Sequence, residues 1–287
     1  MQAAARQNSL APVLARLPAL LDAAATLPQP LVAAAQKLLA NRIDLARGAP
    51  TAATLKAAVT AAGIASEPGA RPLPTDTRAA LLGLRTGLLA LLGDAIEPVA
   101  PVTRQPPPPL KGDLPRAPDP QPQLPPDNSR EGLRQLLGHT EAAISRLKLM
   151  QLASQPPDPG RPSAQPAEFR VEVPLLFNAQ TAMLQLQVTR DAPRRDTDRR
   201  PRGWRMRFAV KLAAIGEVGA EIALMGTSAN VALWAAEPAT ADALEALLPE
   251  LAPALTARGL EVTGVHLRRT PAPPKPGQPG RLLDAAT

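Results

Sequence analysis

WRMRFAVKLAAIGEVGAEIALMGTSANVALWAAEPATADALEALLPELAPALTARGLEVTGVHL, residues 204–267, is the stretch that decides the fold. Trp204, Met206, Phe208, Val210 and Leu212 alternate with Arg205, Arg207 and Lys211, which predicts a strand with one apolar face. Val218, Ala220, Ile222 and Leu224 predict a second strand, Gly226-Thr227-Ser228 a turn, and Val231 and Leu233 the start of a third. Pro238 and Thr240 then open a helix. Its stripe is Leu244, Leu247, Leu248, Leu251 and Leu255, which fall on one face at helical spacing. Pro249 and Pro253 predict a kink, or a restart with Pro249 in a first turn. Arg258 in the last turn and Gly259 just past it end the helix. Leu260 and Val262 are out of phase with Val265 and Leu267, and a bulge at Thr263-Gly264 repairs the phase of this last strand.

Two more strands precede this block. Phe169, Val171 and Val173 alternate with Arg170 and Glu172, and Leu184, Leu186 and Val188 alternate with Gln185, Gln187 and Thr189. Residues 168–270 therefore read as an α+β domain, a mostly antiparallel sheet packed by one main helix. Its expected core is Trp204, Phe208, Val210, Leu244, Leu247, Leu248, Leu251 and Leu255. A charge at Leu247 is expected to unfold it.

Proline organises the rest: 36 of 287 residues, against a usual share of about 5%. Residues 1–97 place Leu, Val and Ile at three- and four-residue steps, an Ala/Leu-rich helical region of three to four short helices. Pro28 and Pro30 punctuate it, one helix is expected from about Thr51 to Gly63, and another from Asp76 to Gly93. Ala-rich faces bury little area each, so this bundle is expected to be marginal. Residues 98–128 and 155–167 form Pro-rich linkers, extended and without a core of their own. An SH3-type ligand is the alternative reading of the first. Residues 129–154 predict one helix, N-capped by Ser129, with Leu133, Leu136, Leu137, Ile144, Leu147 and Leu152 on its apolar side. Residues 271–287 are expected to be a disordered tail.

The chain has no Cys, which excludes disulfides, thiolate nucleophiles and Cys-based zinc sites. His139 and His266 lie in separate segments without HExxH spacing, and no GxSxG, GxxxxGK[ST] or post-strand GxGxxG occurs. No catalytic, metal-ligating or cofactor-binding residue is assigned, and no enzyme is expected. The first residues lack an uninterrupted apolar run before a cleavage site, and the Leu-rich run 79–93 is broken by Arg85 and too short to span a bilayer. A soluble monomer made in the cytoplasm is expected. The net charge of +7 fits acidic partners. Seven arginines between Arg190 and Arg205 (190, 194, 195, 199, 200, 202 and 205) leave open a basic nucleic-acid-binding or scaffold protein, although aromatic residues for base stacking are not interleaved with them.

Four features in order carry a resemblance. They are an amphipathic strand ending at Leu212, Ile215, Gly216 and Val218; a strand pair closing on VALWAAEPAT, residues 231–240; the helix ALEALLPELAPALTARGL, residues 243–260; and the strand VTGVHL, residues 262–267. This block resembles the C-terminal domain of the bacterial flagellar hook-length control family. The resemblance implies a secreted molecular ruler, exported unfolded through the flagellar type III apparatus. Its C-terminal domain would switch export from hook to filament substrates by meeting the cytoplasmic domain of the export-gate switch protein. Hook and hook-cap subunits are further possible partners. Ile215, Gly216, Glu217 and Val218 are the gate-contact residues that the resemblance implies. Ala213-Ala214-Ile215 departs from the family, which often carries a proline and a glutamate before a Leu-Gly pair. Residues 1–167 fully extended at ~3.3–3.6 Å each would span at most about 55–60 nm, a tape-like scale.

Overall fold

The computed structural model describes residues 2–22, 25, 27–62, 77–93, 106–110, 112–125, 127–154, 167–191 and 203–269. The expected tail at 271–287, most of the second linker and most of the arginine-rich loop lie outside the described residues.

Among the described residues the N-terminal part forms helices α1 (Gln2–Arg6), α2 (Ala11–Asp22), α3 (Gln29–Ala40), α4 (Ala52–Ala61) and α5 (Thr77–Leu92), with the short strand β1 (Ile43–Asp44) between α3 and α4. Their local signals are those the sequence carries. Pro28 and Pro30 flank the start of α3, and Thr51 caps α4 by accepting from the Thr54 N–H at 3.1 Å. A two-residue strand β2 (Gln121–Pro122) leads to α6 (Arg130–Ala153), whose first turn is closed by Ser129 Oγ accepting from Gly132 N–H at 3.0 Å. Leu14, Leu17, Leu31, Leu38, Leu81, Leu84, Leu88 and Leu137 are among the most deeply buried side chains. They form one cluster with Leu136 and Met183. The bundle is thus the better-packed part of the chain. Each Leu/Ala face is thin, but α2, α3, α5 and α6 share theirs. Leu152, expected on the apolar side of α6, is exposed in its last turn.

The sheet is built from β3 (Ala167–Phe177), β4 (Gln180–Arg190), β5 (Trp204–Leu212), β6 (Gly216–Met225), β7 (Ser228–Ala235) and β8 (Glu261–Arg268). Its order is β1-β3-β4-β5-β6-β7-β8, with β2 added to β4. The neighbours from β3 to β7 are antiparallel, while β1–β3 and β7–β8 are parallel. Asn178 and Ala179, both with positive φ (47° and 58°), join β3 to β4 in a two-residue turn, and the hairpin runs longer than the alternation suggests. Between β7 and β8 runs α7 (Pro238–Thr256), one helix through both Pro249 and Pro253 without a restart. Thr263 is the extra residue of the bulge in β8, opposite Ala229 and Asn230. The architecture is α+β: N-terminal helices and an antiparallel-dominated C-terminal sheet with one helix of its own.

Helices meet the sheet chiefly at its two sides, α2, α4 and α6 on β3–β4 and α7 on β7–β8. The central pair β5–β6 has the least helix cover, and this corrects part of the expected core. Trp204 is 45% exposed at the open end of β5, its ring under the Arg190 guanidinium at 5.0 Å. Phe208 and Val210 share its phase but are half-buried. On α7, Leu244, Leu248, Leu251 and Leu255 are half-buried and Ala241 is 1% exposed, whereas Leu247 is 54% exposed. Leu247 lies on the flank of the stripe, and a helix packed against a two-strand edge covers a narrower arc than one seated on a full sheet.

Candidate partner-binding site

The β5–β6 connection is short. Leu212 pairs with Gly216, and Ala213, Ala214 and Ile215 form an exposed turn, with Ile215 38% exposed. Gly216 adopts φ +72°, and a Cβ there would stand 2.5 Å from Glu237 Cγ, so both backbone and space call for glycine. The turn is tied to the start of α7: Thr240 Oγ1 donates to the Ile215 carbonyl at 2.8 Å, and the Ala236 N–H donates to the Glu217 carbonyl at 2.9 Å. The four residues singled out from the sequence thus form one continuous feature. Ile215 is exposed, while Gly216, Glu217 and Val218 are half-buried.

The Glu217 side chain is engaged by a segment 100 residues upstream. Its Oε1 accepts from the Ala117 N–H at 3.1 Å. Opposite Glu217 on β5, Lys211 Nζ lies 2.6 Å from Asp119 Oδ1. These belong to a longer run of contacts. The Gly112 N–H donates to Glu168 Oε2 (2.9 Å), Arg170 donates to the Asp113 carbonyl, and the Gln123 N–H donates to the Ala179 carbonyl (3.3 Å). Gln121 and Pro122 pair with Thr181 and Gln180 where β5 no longer flanks β4. The Leu124 N–H reaches the Ala15 carbonyl of α2 at 3.2 Å, and Gln7 Nε2 donates to the Pro106 carbonyl. The described part of the Pro-rich stretch is extended, as its composition predicts, but it lies along the polar face of the sheet and bonds to it.

Beneath that segment the alternating polar residues of β3 and β4 are buried. Glu168, Arg170, Glu172, Gln185 and Gln187 are all under one-tenth exposed. Arg146 of α6 pairs through Nε with Glu172 Oε1 (2.5 Å) and donates through Nη1 to Gln7 Oε1 (2.6 Å) and the Pro107 carbonyl (3.1 Å). Gln185 Nε2 adds a bond to the same Glu172 oxygen at 2.6 Å, and Arg170 pairs with Glu168. A cavity of about 300 Å³ remains among Arg146, Arg170, Gln187 and Pro107–Pro109. Period-2 alternation says that Arg170 and Glu172 face away from the apolar side; it carries no signal that a distant segment covers them.

The basic stretch is partly consumed within the fold. Arg205 and Arg207 each place Nε within 3.0 Å of Glu221, and Arg190 stacks on Trp204. Arg194, Arg195, Arg199, Arg200 and Arg202 lie outside the described residues. His139, read as a helix-surface residue, is half-buried. Its Nδ1 has no partner, and burial, with a smaller contribution from Arg16, pushes its pKa below the usual histidine value. His266 is exposed on β8. No helix among the described residues is long and apolar enough to cross a membrane.

The chain matches no curated protein and no solved structure. Residues 193–275, which hold β5 to β8, α7 and the Ile215–Val218 turn, match the family model described as flagellar hook-length control protein FliK. The C-terminal part of this chain is therefore a domain of the flagellar hook-length control family.

Proposed function

We propose that this protein is a secreted hook-length ruler whose C-terminal domain switches flagellar type III export from hook to filament substrates. The observation that carries the reading is the family match over residues 193–275. The N-terminal part, once threaded unfolded into the export channel, would supply the length signal, possibly by touching hook or hook-cap subunits. The absence of Cys removes disulfide cross-links as an obstacle to threading. The C-terminal domain then engages the cytoplasmic domain of the export-gate switch protein through Ile215–Val218. No covalent step is required of the protein. The switch is a change of conformational population driven by differential binding.

An exposed Ile215 on a turn anchored by Thr240 and Ala236 suits such a contact, since a fixed backbone presents an apolar side chain at little ordering cost. Deletion of the gene is expected to give overlong hooks with few filaments. Ile215→Asp is expected to keep the melting transition and weaken binding to the gate domain at least about tenfold. Normal hooks in the deletion strain would overturn the reading, and undiminished binding by the variant would move the contact elsewhere.

A further inference from the structure

We propose that residues 112–124 are a strap that keeps the gate-contact turn covered until the N-terminal part of the same chain is withdrawn. The inference rests on the switch reading above and adds a regulated state to it. Its basis is where the strap bonds. On the family-matched domain it touches Glu217, within the candidate contact, through the Ala117 N–H, and Lys211, the cross-strand partner of Glu217, through Asp119. At its other end it is held by the helical bundle, through Leu124 to Ala15, and its upstream continuation is held through Pro106 to Gln7. Arg146 ties Gln7, Pro107 and Glu172 into one buried node, so bundle, strap and sheet share partners.

Chain order turns this arrangement into a sequence of events. Export that takes the N-terminus first removes Gln7 and Ala15 before it reaches the strap, and removes the strap before it reaches the sheet. The Ala117 and Asp119 contacts are few and partly exposed, so they hold while the bundle anchors both ends and fail when it leaves. The turn is then free while β5–β8 and α7 still stand. A binding surface populated only in the open state has its apparent affinity reduced by the open fraction. The folded chain in the cytoplasm is therefore a poor ligand for the gate, and a partly threaded chain is a good one.

The test uses the full chain and the purified cytoplasmic gate domain. Ala117→Pro removes the donor to Glu217, and Asp119→Lys sets a like charge against Lys211. Together they are expected to raise gate-domain affinity about tenfold or more and to leave the melting transition in place. Adding Lys211→Asp to Asp119→Lys restores an ion pair and is expected to return the affinity toward wild type. Amide exchange in the unmodified chain is expected to show the Ala117 N–H protected, and exchange there at the open-chain rate would overturn the strap. Equal affinity of open and unmodified chains would overturn it while leaving the switch reading intact. Weaker binding by the open variant would place residues 117–119 within the gate contact and equally overturn it. Failure of every form to bind would overturn the switch reading, and the strap's role with it.

Discussion

Gly219→Ala is the most searching small change in the C-terminal domain. Gly219 on β6 pairs directly with Trp234 on β7, and the Trp234 ring lies across it, 5% exposed. A Cβ at 219 would stand 2.1 Å from Trp234 Cζ2 and 2.4 Å from the Phe208 carbonyl oxygen of the neighbouring β5. The oxygen belongs to the ladder and cannot retreat without loosening the β5–β6 pairing, so the indole must move. A tryptophan buries about 150–250 Å², which at ~25 cal/mol/Å² sets a ceiling of about 4–6 kcal/mol if it is expelled entirely. Partial relocation resembles overpacking, at about 1–3 kcal/mol. Reduced entropy of the unfolded chain returns about 0.4–1 kcal/mol. The expected net loss is roughly 2–4 kcal/mol, a large share of the ~5–15 kcal/mol that holds a typical protein folded. The assay is urea unfolding followed by fluorescence in a Trp204→Phe background, which leaves Trp234 as the only tryptophan. The native-state emission should shift to the red along with the lowered midpoint. In a Trp234→Leu background the same Gly219→Ala change should cost at least about 1 kcal/mol less, because the ring contact is gone. A midpoint change below about 0.5 kcal/mol with unshifted emission would refute the packing of Trp234 on Gly219.

Leu247→Asp is expected to cost less than about 1 kcal/mol because the side chain is exposed, whereas Ala241→Asp on the same helix buries a charge and should cost about 3 kcal/mol or more in thermal or urea unfolding. Arg146→Ala leaves Glu172 buried with Gln185 as its remaining side-chain partner and should cost about 3–5 kcal/mol, while Arg146→Met with Glu172→Gln should recover at least half of that by urea titration. Burial lowers the His139 pKa in the folded state, so the unfolded chain binds the extra proton first. Stability should therefore fall as pH drops below about 6.5 and level off once the pH passes the lowered folded value. His139→Gln should flatten that slope in midpoints measured across the range.

The sequence by itself determined the elements of the C-terminal domain. Period-2 runs place β5, β6 and β7, Pro238 and Gly259 bracket α7, and the phase slip after Val262 marks the β8 bulge, because each signal is local and repeats within a few residues. The same local signals found the helices and the cap at Ser129. The tertiary structure decided what covers what. Leu247 and Trp204 carry the right phase for the core, yet phase defines a face and says nothing of how wide a neighbour lies upon it. Arg170 and Glu172 read as a solvent face and are buried, because α6 and the Pro-rich segment arrive there from distant parts of the chain. The thin Leu/Ala faces of the N-terminal helices look marginal one by one and become the densest core once α2, α3, α5 and α6 pool them. The candidate turn at Ile215–Val218 was legible as a break between strands, but its cover was not. The bond from the Ala117 N–H to Glu217 joins residues 100 apart, and a backbone donor carries no side-chain identity for a sequence to display.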